Sequence, residues 1–161
     1  MQVRLAHLGD ADDLCRIYNH EVLKSTATLD LVPRSLTEQQ QYLVDRSGGL
    51  IVVVAEEGGD VIGFGSISFY RNRPGYRTSV EDSVYVDRAH AGKGVGSIIL
   101  AELVAVATTR GFHAMFARIV GPQQASVRLH ERHGFTMVGV EREVGRKFNR
   151  WHDVGLMQRL L

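Results

Sequence analysis

The chain lacks the features on which several protein classes depend. Its 161 residues include one cysteine and 3 prolines, so no internal disulfide can form and no proline-rich segment divides the chain. Lysine and arginine number 19 against 18 aspartates and glutamates, which gives a formal charge of +1. A protein that mainly neutralises phosphate backbones is far more basic, so we expect no nucleic-acid partner.

Long apolar segments are also missing from the sequence. No run of about 18 apolar residues is present to cross a membrane, and Met1–Asp10 lacks the basic and then apolar pattern of a secretory leader. With a single cysteine, these absences predict a cytoplasmic protein without a membrane partner. What is present, 44% hydrophobic and 23% charged residues, is the composition of one globular domain over residues 1–161.

Hydrophobic periodicity alternates between helical and strand-like segments. The predicted helices are one capped by Asp10, one capped by Thr37 that runs to Asp45 and ends at Gly48-Gly49, one from Val95 to Arg110-Gly111, and Ser126–His133. After a short apolar start at Val3–Leu5, the predicted strands are Leu50–Ala55, Val61–Tyr70, Thr78–Val86, Ala114–Val120, Thr136–Val144 and His152–Leu160, with a hairpin turn at Glu57–Asp60. A strand–helix–strand order around Val95 implies a parallel crossover, so the predicted fold is a mixed α/β sheet.

A glycine-rich turn joins the strand that ends at Val86 to the helix that begins at Val95. Its glycines let the backbone approach a ligand, and the helix N-terminus adds about half a positive charge, which suits a pyrophosphate. A Walker loop would need a lysine directly before Ser97, where Gly96 stands. A Rossmann loop would lie in the first strand–helix unit. Taken alone, the turn is equally typical of an ordinary strand-to-helix connection.

Four further segments, in the expected order, carry a resemblance that covers almost the whole chain: Ile17–His20, Val80–Val86, Ser126–His130 and Trp151–Asp153. With the glycine turn, they make the chain similar to the GNAT superfamily of N-acetyltransferases, whose coenzyme A loop has the pattern Gln/Arg-x-x-Gly-x-Gly/Ala. Within that superfamily the chain resembles the phosphinothricin and methionine sulfone (sulfoximine) N-acetyltransferases. The resemblance implies a GNAT fold of six to seven strands with flanking helices and one parallel strand pair that splays apart.

The resemblance also implies acetyl-CoA as the cosubstrate. Its pantetheine arm is expected along Val84, Tyr85 and Val86, its pyrophosphate on the turn, and further contacts at Gln123 and Ser126. The turn residues are Gly92, Lys93, Gly94, Val95, Gly96 and Ser97. Two positions depart from the family pattern: Ala91 stands where Gln or Arg is usual, and Gln123 where Asn is usual. Backbone donors of the glycines survive both changes, so we expect cofactor binding to persist.

Acetyl transfer from a thioester to an amine needs a base for the amine, donors for the carbonyl oxygen and a proton for the thiolate. Glu81 is the candidate base, because a carboxylate on a sheet face beside an apolar core is partly desolvated and its pKa should rise. The family has Glu at the matching position. The alternative is a solvent-facing Glu81 that pairs with Arg77 or Lys147.

His130 is the candidate donor to the leaving thiolate, because phosphinothricin-type members have His where many members of the superfamily have Tyr. The alternative is an ordinary histidine on a helix surface. The thioester carbonyl is expected to accept a hydrogen bond from the backbone N–H near Tyr85 or Val86.

An arginine-rich loop just before Glu81 is the expected substrate-binding segment. Arg73 and Arg77 are candidates for a bidentate grip on a carboxylate. By resemblance Pro74, Gly75 and Tyr76 fall on the substrate-contacting loop, and a solvated loop is the alternative. Further candidate wall residues are Thr28, Leu29, Lys147, Phe148 and Trp151.

Metal and covalent chemistry are not expected. The seven histidines have no His-x-x-x-His or Cys/His spacing typical of zinc. Cys15 lies on the apolar stripe of the first helix, which is typical of a small core residue.

The sequence therefore predicts a homodimeric acetyltransferase that moves the acetyl group of acetyl-CoA to the α-amine of a small amino acid in a ternary complex. Phosphinothricin, methionine sulfoximine and methionine sulfone are the substrates that the resemblance implies. Two alternatives stay open: a non-catalytic acetyl-CoA sensor, and a peptide N-terminal or polyamine acetyltransferase.

Overall fold

The computed structural model describes residues 1–46, 50–121 and 123–161. Within these residues the chain forms seven strands and four α-helices. The strands are β1 (Gln2–Leu5), β2 (Val52–Glu57), β3 (Asp60–Phe69), β4 (Ser79–Val86), β5 (Ala114–Val120), β6 (Thr136–Lys147) and β7 (Arg150–Leu160). The helices are α1 (Ala11–Lys24), α2 (Leu36–Asp45), α3 (Val95–Thr109) and α4 (Gln124–Arg132), with short 3-10 turns at Leu8–Asp10, Pro74–Tyr76 and Arg88–His90.

All seven strands belong to one mixed sheet of order β1-β2-β3-β4-β5-β7-β6. The β4–β5 pair is parallel and is joined by α3, while the other neighbouring pairs are antiparallel. The predicted mixed α/β sheet and its parallel crossover are confirmed.

Each face of the sheet buries its own apolar cluster, because successive strand residues point to opposite faces. On one face Ile99 and Leu103 of α3 pack against Val80 and Met115. On the other face Leu14 of α1 packs in a cluster around Phe64. These side chains are all fully buried or nearly so, and each contributes about 1.5–3 kcal/mol of apolar burial. The two clusters clamp β3 and β4 from both sides and fix the strands that carry the site.

Two helix starts differ from the sequence prediction. Helix α2 is capped by Ser35 and not by Thr37, since Ser35 Oγ accepts from the N–H of Glu38 at 3.2 Å and the Glu38 carboxylate accepts from the N–H of Ser35 at 2.7 Å. This reciprocal pair satisfies two helix N–H groups at once, which Thr37 inside the first turn does not do. Asp10 precedes α1 as predicted, but its carboxylate accepts from Arg4 and from the N–H of His7 instead of capping the helix.

The remaining differences are shifts of element ends. Strands β6 and β7 extend to Lys147 and from Arg150, because a tight turn with positive φ at Phe148 and Asn149 joins them directly. Strand β2 and helix α4 each start two residues away from the predicted position. The predicted helix end at Gly48-Gly49 lies outside the described residues.

Strands β4 and β5 diverge after a short paired stretch. Their register covers only Ser79 to Glu81 on β4, with Glu81 opposite Phe116, although β4 continues to Val86 and β5 to Val120. The expected splay of the parallel pair is therefore confirmed. It opens the sheet at the carboxyl ends of two parallel strands, where ligands bind in open α/β sheets.

Candidate active site

Two cavities meet at the splay. We call the first the acceptor cavity; it has a volume of about 310 Å³ and is lined by Glu81 to Tyr85 of β4, Ala117 to Val120 of β5, residues 27–29, Gln123, Ser126, His130, Val144 and Val154. The second, the turn cavity, has about 440 Å³ and lies along Val84–Val86, the glycine turn and one side of α4. Both are lined by Ala27, Val84, Tyr85, Gln123 and Ser126, so a ligand can extend from one into the other.

The glycine turn has the backbone that an anion requires. Gly92 and Gly94 have φ of +77° and +84°, a left-handed conformation that L side chains rarely adopt, and an added Cβ at either would meet nothing within 4 Å. Gly94 is the N-cap of α3, so the first N–H groups of that helix face the turn cavity without a capping side chain. This arrangement fits the pyrophosphate of acetyl-CoA.

The other predicted turn residues differ in what they offer. Val95 and Gly96 line the turn cavity, but the Val95 side chain is buried in the core, so only its backbone is available to a ligand. Ser97 also lines the cavity, and its hydroxyl lies 2.8 Å from Nε2 of His133. Lys93 is exposed and does not line either cavity. Its predicted contact with the cofactor stays a prediction.

The backbone of β4 presents donors to the splay at alternate residues. The N–H of Asp87 and the carbonyl of Ser79 both bond to β3, and hydrogen-bonded pairs alternate along an antiparallel ladder. Tyr85 therefore bonds toward β3, whereas the N–H groups of Val84 and Val86 point toward β5, which is no longer paired there. Of the two carbonyl donors expected from the sequence, the ladder favours Val86, with Val84 as its neighbour.

Basic side chains that the sequence analysis did not single out line the turn cavity: Arg88, Arg128 and Arg132. Arg88 is held by buried Glu21, with Nε 2.8 Å from Oε1. The i, i+4 spacing of Arg128 and Arg132 was the signal available, since it puts both on one face of α4. Gln123, predicted to contact the cofactor, lies between the two cavities, and its Nε2 lies 3.3 Å from Oγ1 of Thr26.

Glu81 lies in the acceptor cavity in the middle of β4. Burial raises the pKa of its carboxyl to about 7, against a smaller opposing influence of Arg118 and with further increase from Asp82 and Glu141. A carboxylate with such a pKa is half deprotonated near neutral pH and can take up a proton there.

The alternative partners of Glu81 are placed elsewhere. Arg77 is exposed and lines neither cavity. Lys147 is buried, and its ammonium donates to the carbonyl oxygens of Thr28 at 2.8 Å and Glu21 at 3.2 Å.

His130 is buried beside Asp82, an acid that the sequence analysis did not select. Its Nε2 lies 3.1 Å from Oδ1 of Asp82 and its Nδ1 lies 2.8 Å from the carbonyl oxygen of Ser126. Desolvation lowers the pKa of His130, but the hydrogen bonds and charge of these acceptors outweigh it and raise that pKa overall. The second oxygen of Asp82, Oδ2, is buried without a partner among the described residues. The sequence signal for Asp82 was its place between Val80 and Val84 in the series of every second residue that forms the buried face of β4.

The predicted substrate loop lies outside both cavities. Arg73, Pro74, Gly75, Tyr76 and Arg77 form an exposed 3-10 turn, and none of them lines the acceptor cavity. Their roles stay predictions.

The predicted wall residues divide into two groups. Thr28 and Leu29 line the acceptor cavity. Lys147 does not line it, but its ammonium donates to the carbonyl oxygen of Thr28 and so holds this segment in place. Phe148 and Trp151 are exposed and line neither this cavity nor the turn cavity. The acceptor cavity instead has wall residues that the sequence analysis missed, among them Arg118, Val144 and Val154.

Residues 1–46, 50–121 and 123–161 contain no group of three or more His, Cys, Asp or Glu side chains that could hold a metal. The Cys15 thiol is half-buried, with Sγ near the carbonyl oxygens of Arg34 and Ser35. None of the helices in these residues is long and apolar enough to cross a membrane.

A family model for the acetyltransferase (GNAT) family matches residues 14–135. The chain belongs to the GNAT acetyltransferase family. A curated relative, the L-methionine sulfoximine/L-methionine sulfone acetyltransferase of Salmonella typhimurium, is 39% identical over 163 residues, which cover 98% of this chain and 93% of that protein.

Two solved structures extend the GNAT comparison to three dimensions. A phosphinothricin acetyltransferase from Sinorhizobium meliloti in complex with AcCoA has a TM-score of 0.96 and 38% identity, with 99% of this chain and 88% of that chain covered. The ribosomal-protein-alanine N-acetyltransferase from Brucella melitensis has a TM-score of 0.98 and 37% identity, with both chains covered to 100%. The GNAT fold implied by the sequence is confirmed, and acetyl-CoA is bound in one of these neighbours.

Proposed function

We propose that this GNAT protein transfers the acetyl group of acetyl-CoA to the α-amine of a small amino acid, such as phosphinothricin, methionine sulfoximine or methionine sulfone, in a ternary complex. The observation that carries the proposal is Glu81, a carboxylate with a pKa of about 7 in a cavity that opens through the splay into the turn cavity. The names of the relatives supply the substrate class.

The residues of the site divide the work. Acetyl-CoA, when bound, supplies an acetyl thioester. We assign its pyrophosphate to the glycine turn and its carbonyl oxygen to the N–H of Val86, whose direction suits an oxygen that gains negative charge. Glu81 accepts a proton from the substrate ammonium, directly or through one water, because only the neutral amine is a nucleophile.

His130 serves the leaving sulfur in this proposal. Both of its ring nitrogens face acceptors, so the doubly protonated ring is favoured, and it presents a positive charge at the wall of the acceptor cavity. That charge stabilises a thiolate. Nε2 can also donate its proton to the thiolate sulfur once its hydrogen bond to Asp82 is broken, which leaves a neutral imidazole.

We further propose that residues 1–161 act as one domain in a cytoplasmic homodimer. The strands β6 and β7 expose large apolar side chains that a second copy would cover: Met137, Val138, Val140, Val144 and Trp151. The loop Arg73–Arg77 remains a proposed substrate-contacting segment of such a dimer.

A peptide N-terminal acetyltransferase is the second candidate function, favoured by the name of the Brucella melitensis relative. It predicts an acceptor without a free carboxylate. A non-catalytic acetyl-CoA sensor would bind the cofactor and acetylate nothing.

Release of the coenzyme A thiol from acetyl-CoA distinguishes these functions. The purified protein is offered phosphinothricin, methionine sulfoximine, methionine sulfone, proteinogenic amino acids, spermidine and an alanine-starting peptide. We expect turnover with the first three compounds and background rates with spermidine and the peptide. Turnover of the peptide alone would establish the second candidate, and a rise in Tm with acetyl-CoA without any turnover would establish the sensor.

A further inference from the structure

Arg118 lies on the same side of the sheet as Glu81, across the splay. Glu81 is opposite Phe116 in the β4–β5 register, and side chains on one face recur every second residue. Arg118 is therefore the next residue of β5 on the Glu81 face, about 6 to 7 Å further along the strand. It lines the acceptor cavity and is half-buried.

The guanidinium of Arg118 has one hydrogen-bond partner and keeps other N–H donors without one among the described residues. Its Nη2 donates to Oε2 of Glu141 on β6, which anchors it at the wall of the cavity. Its Nε and Nη1 have no acceptor among the described residues. A guanidinium carries five N–H donors, and the bond to Glu141 uses one of the two on Nη2. The second N–H of Nη2, with that of Nε or Nη1 beside it, leaves a fork for a second acceptor.

We propose that Arg118 binds the α-carboxylate of the acceptor amino acid and thereby selects a free amino acid over a simple amine or a peptide. This inference rests on the proposed function. An amino acid carries its ammonium and its carboxylate on one carbon, and the cavity offers an acid, Glu81, and a guanidinium, Arg118, on one face. The ammonium of the amino acid can therefore face Glu81 while its carboxylate faces Arg118, so the charges of ligand and site are complementary.

Other cations are placed less well for this role. Among the described residues that line the acceptor cavity, Arg118 is the one guanidinium. Arg73 and Arg77 lie outside that cavity, and the ammonium of Lys147 already donates to two carbonyl oxygens. His130 faces Asp82.

Binding of a carboxylate at Arg118 also acts on the base. The positive charge of Arg118 lowers the pKa of Glu81, opposing the larger effect of burial. A bound carboxylate offsets that charge and so weakens the lowering influence of Arg118 on the pKa of Glu81. A substrate that fills this position is expected to have a lower KM than one that does not.

The test compares methionine sulfone with its α-carboxamide, which keeps the amine and the side chain and removes the charge. Wild-type protein and the Arg118→Gln and Arg118→Lys variants are assayed by coenzyme A release, with Arg142→Gln, an exposed position on β6, as the matched control. We expect Arg118→Gln to lose roughly 10- to 100-fold in kcat/KM on the carboxylate and less than about twofold on the carboxamide. Arg118→Lys should fall between wild type and Arg118→Gln, since it keeps the charge without the fork.

Two further readouts separate binding from structure. Tm and acetyl-CoA affinity of each variant report on folding, and we expect the affinity to stay unchanged because the turn cavity is untouched. Glu141→Gln removes the anchor and should cost much less than Arg118→Gln on the carboxylate.

Equal losses on both substrates, or a Glu141→Gln variant that reproduces Arg118→Gln, would overturn the inference and leave Arg118 as a structural partner of Glu141. A wild-type protein that prefers the carboxamide would overturn it as well. A wild type that acetylates neither compound would overturn the proposed function and the inference together.

Discussion

The two cavities that meet at the splay are built in different ways. At the glycine turn, the turn cavity is formed by backbone, with left-handed glycines at 92 and 94 and the open N-terminus of α3. The acceptor cavity is formed by side chains from β4, β5, α4, the segment at residues 27–29 and the β6–β7 pair. Backbone donors bind an invariant part of a cofactor, whereas side chains can differ between relatives that act on different amines.

This difference indicates a division of labour. A change in the acceptor cavity should alter the acceptor and the rate while acetyl-CoA affinity stays constant. A change in the glycine turn should do the reverse. Asp82 and His130 line the acceptor cavity but are buried as a hydrogen-bonded pair, so their substitution should affect folding first.

The largest effect is expected for Glu81→Gln, which removes the base and keeps the shape. We expect kcat/KM on methionine sulfone at pH 7 to fall roughly 100- to 10,000-fold, the usual contribution of general base catalysis. Acetyl-CoA affinity, measured by calorimetry, should be unchanged. Glu131→Gln, exposed on α4, is the control. A Glu81→Gln rate close to that of wild type would refute the base assignment.

The next largest effect is expected for Asp82→Asn, which should lower the free energy of unfolding of the protein. It removes the charge that pairs with buried His130, at a cost of roughly 2–4 kcal/mol. Without that charge, desolvation prevails and the pKa of His130 falls below its usual range. Denaturant unfolding and histidine titration by NMR measure the two effects. Asp60→Asn, at the exposed β2–β3 turn, should change neither. An unchanged His130 pKa would show that the pair does not set its charge.

Gly94→Ala probes the turn cavity alone. The left-handed backbone at φ +84° costs an alanine about 1–2 kcal/mol, and relief of that strain turns the N–H groups away from the ligand. We expect acetyl-CoA affinity to fall roughly tenfold. Gly58→Ala, with φ +63° in the β2–β3 turn, carries the same type of strain far from the cavity and should leave the affinity intact. Equal acetyl-CoA affinities of the Gly94→Ala and Gly58→Ala variants would show that the glycine turn does not bind the cofactor.

The smallest effect is a pH-dependent change in stability. Burial raises the pKa of Glu81 from its ordinary 4.5 to about 7, so folding favours the neutral form. Its contribution to stability is complete below pH 4.5 and is lost as pH rises through 7. Glu81→Gln stays neutral throughout, so its Tm should equal that of wild type near pH 4. The full shift corresponds to roughly 3 kcal/mol, and solvent screening of the half-buried carboxylate reduces this to about 1 kcal/mol. At pH 8 the variant should therefore exceed wild type by roughly 2–4 °C. A constant difference in Tm would contradict the raised pKa.

Sequence patterns predicted the glycine turn well and the β5, β6 and β7 side of the acceptor cavity poorly, for a physical reason. Gly92 to Ser97 are contiguous, and their function depends on glycine and on the start of a helix, which are visible in sequence order. Arg118, Val144 and Val154, which line the acceptor cavity and were not predicted, come together only because β4 and β5 splay and β6–β7 fold back beside them.

Glu81 and Arg73 illustrate the limit further. Glu81 was found because its own strand and its neighbours carry the signal, and it lies in the acceptor cavity. Arg73 lies in an exposed turn whose path no local pattern determines, so nearness in sequence to Glu81 was a weak guide to contact. Asp82 needed knowledge of its partner on α4, 48 residues away.

The most direct test of the central claim is the pH dependence of kcat/KM for acetylation of methionine sulfone by the wild-type protein and by Glu81→Gln. The account predicts that the wild-type rate rises with pH through an ionisation near 7, where Glu81 loses its proton, and that this ionisation is absent in the variant. The same ionisation in both proteins, with comparable rates, would contradict the assignment of Glu81 as the base on which the account depends.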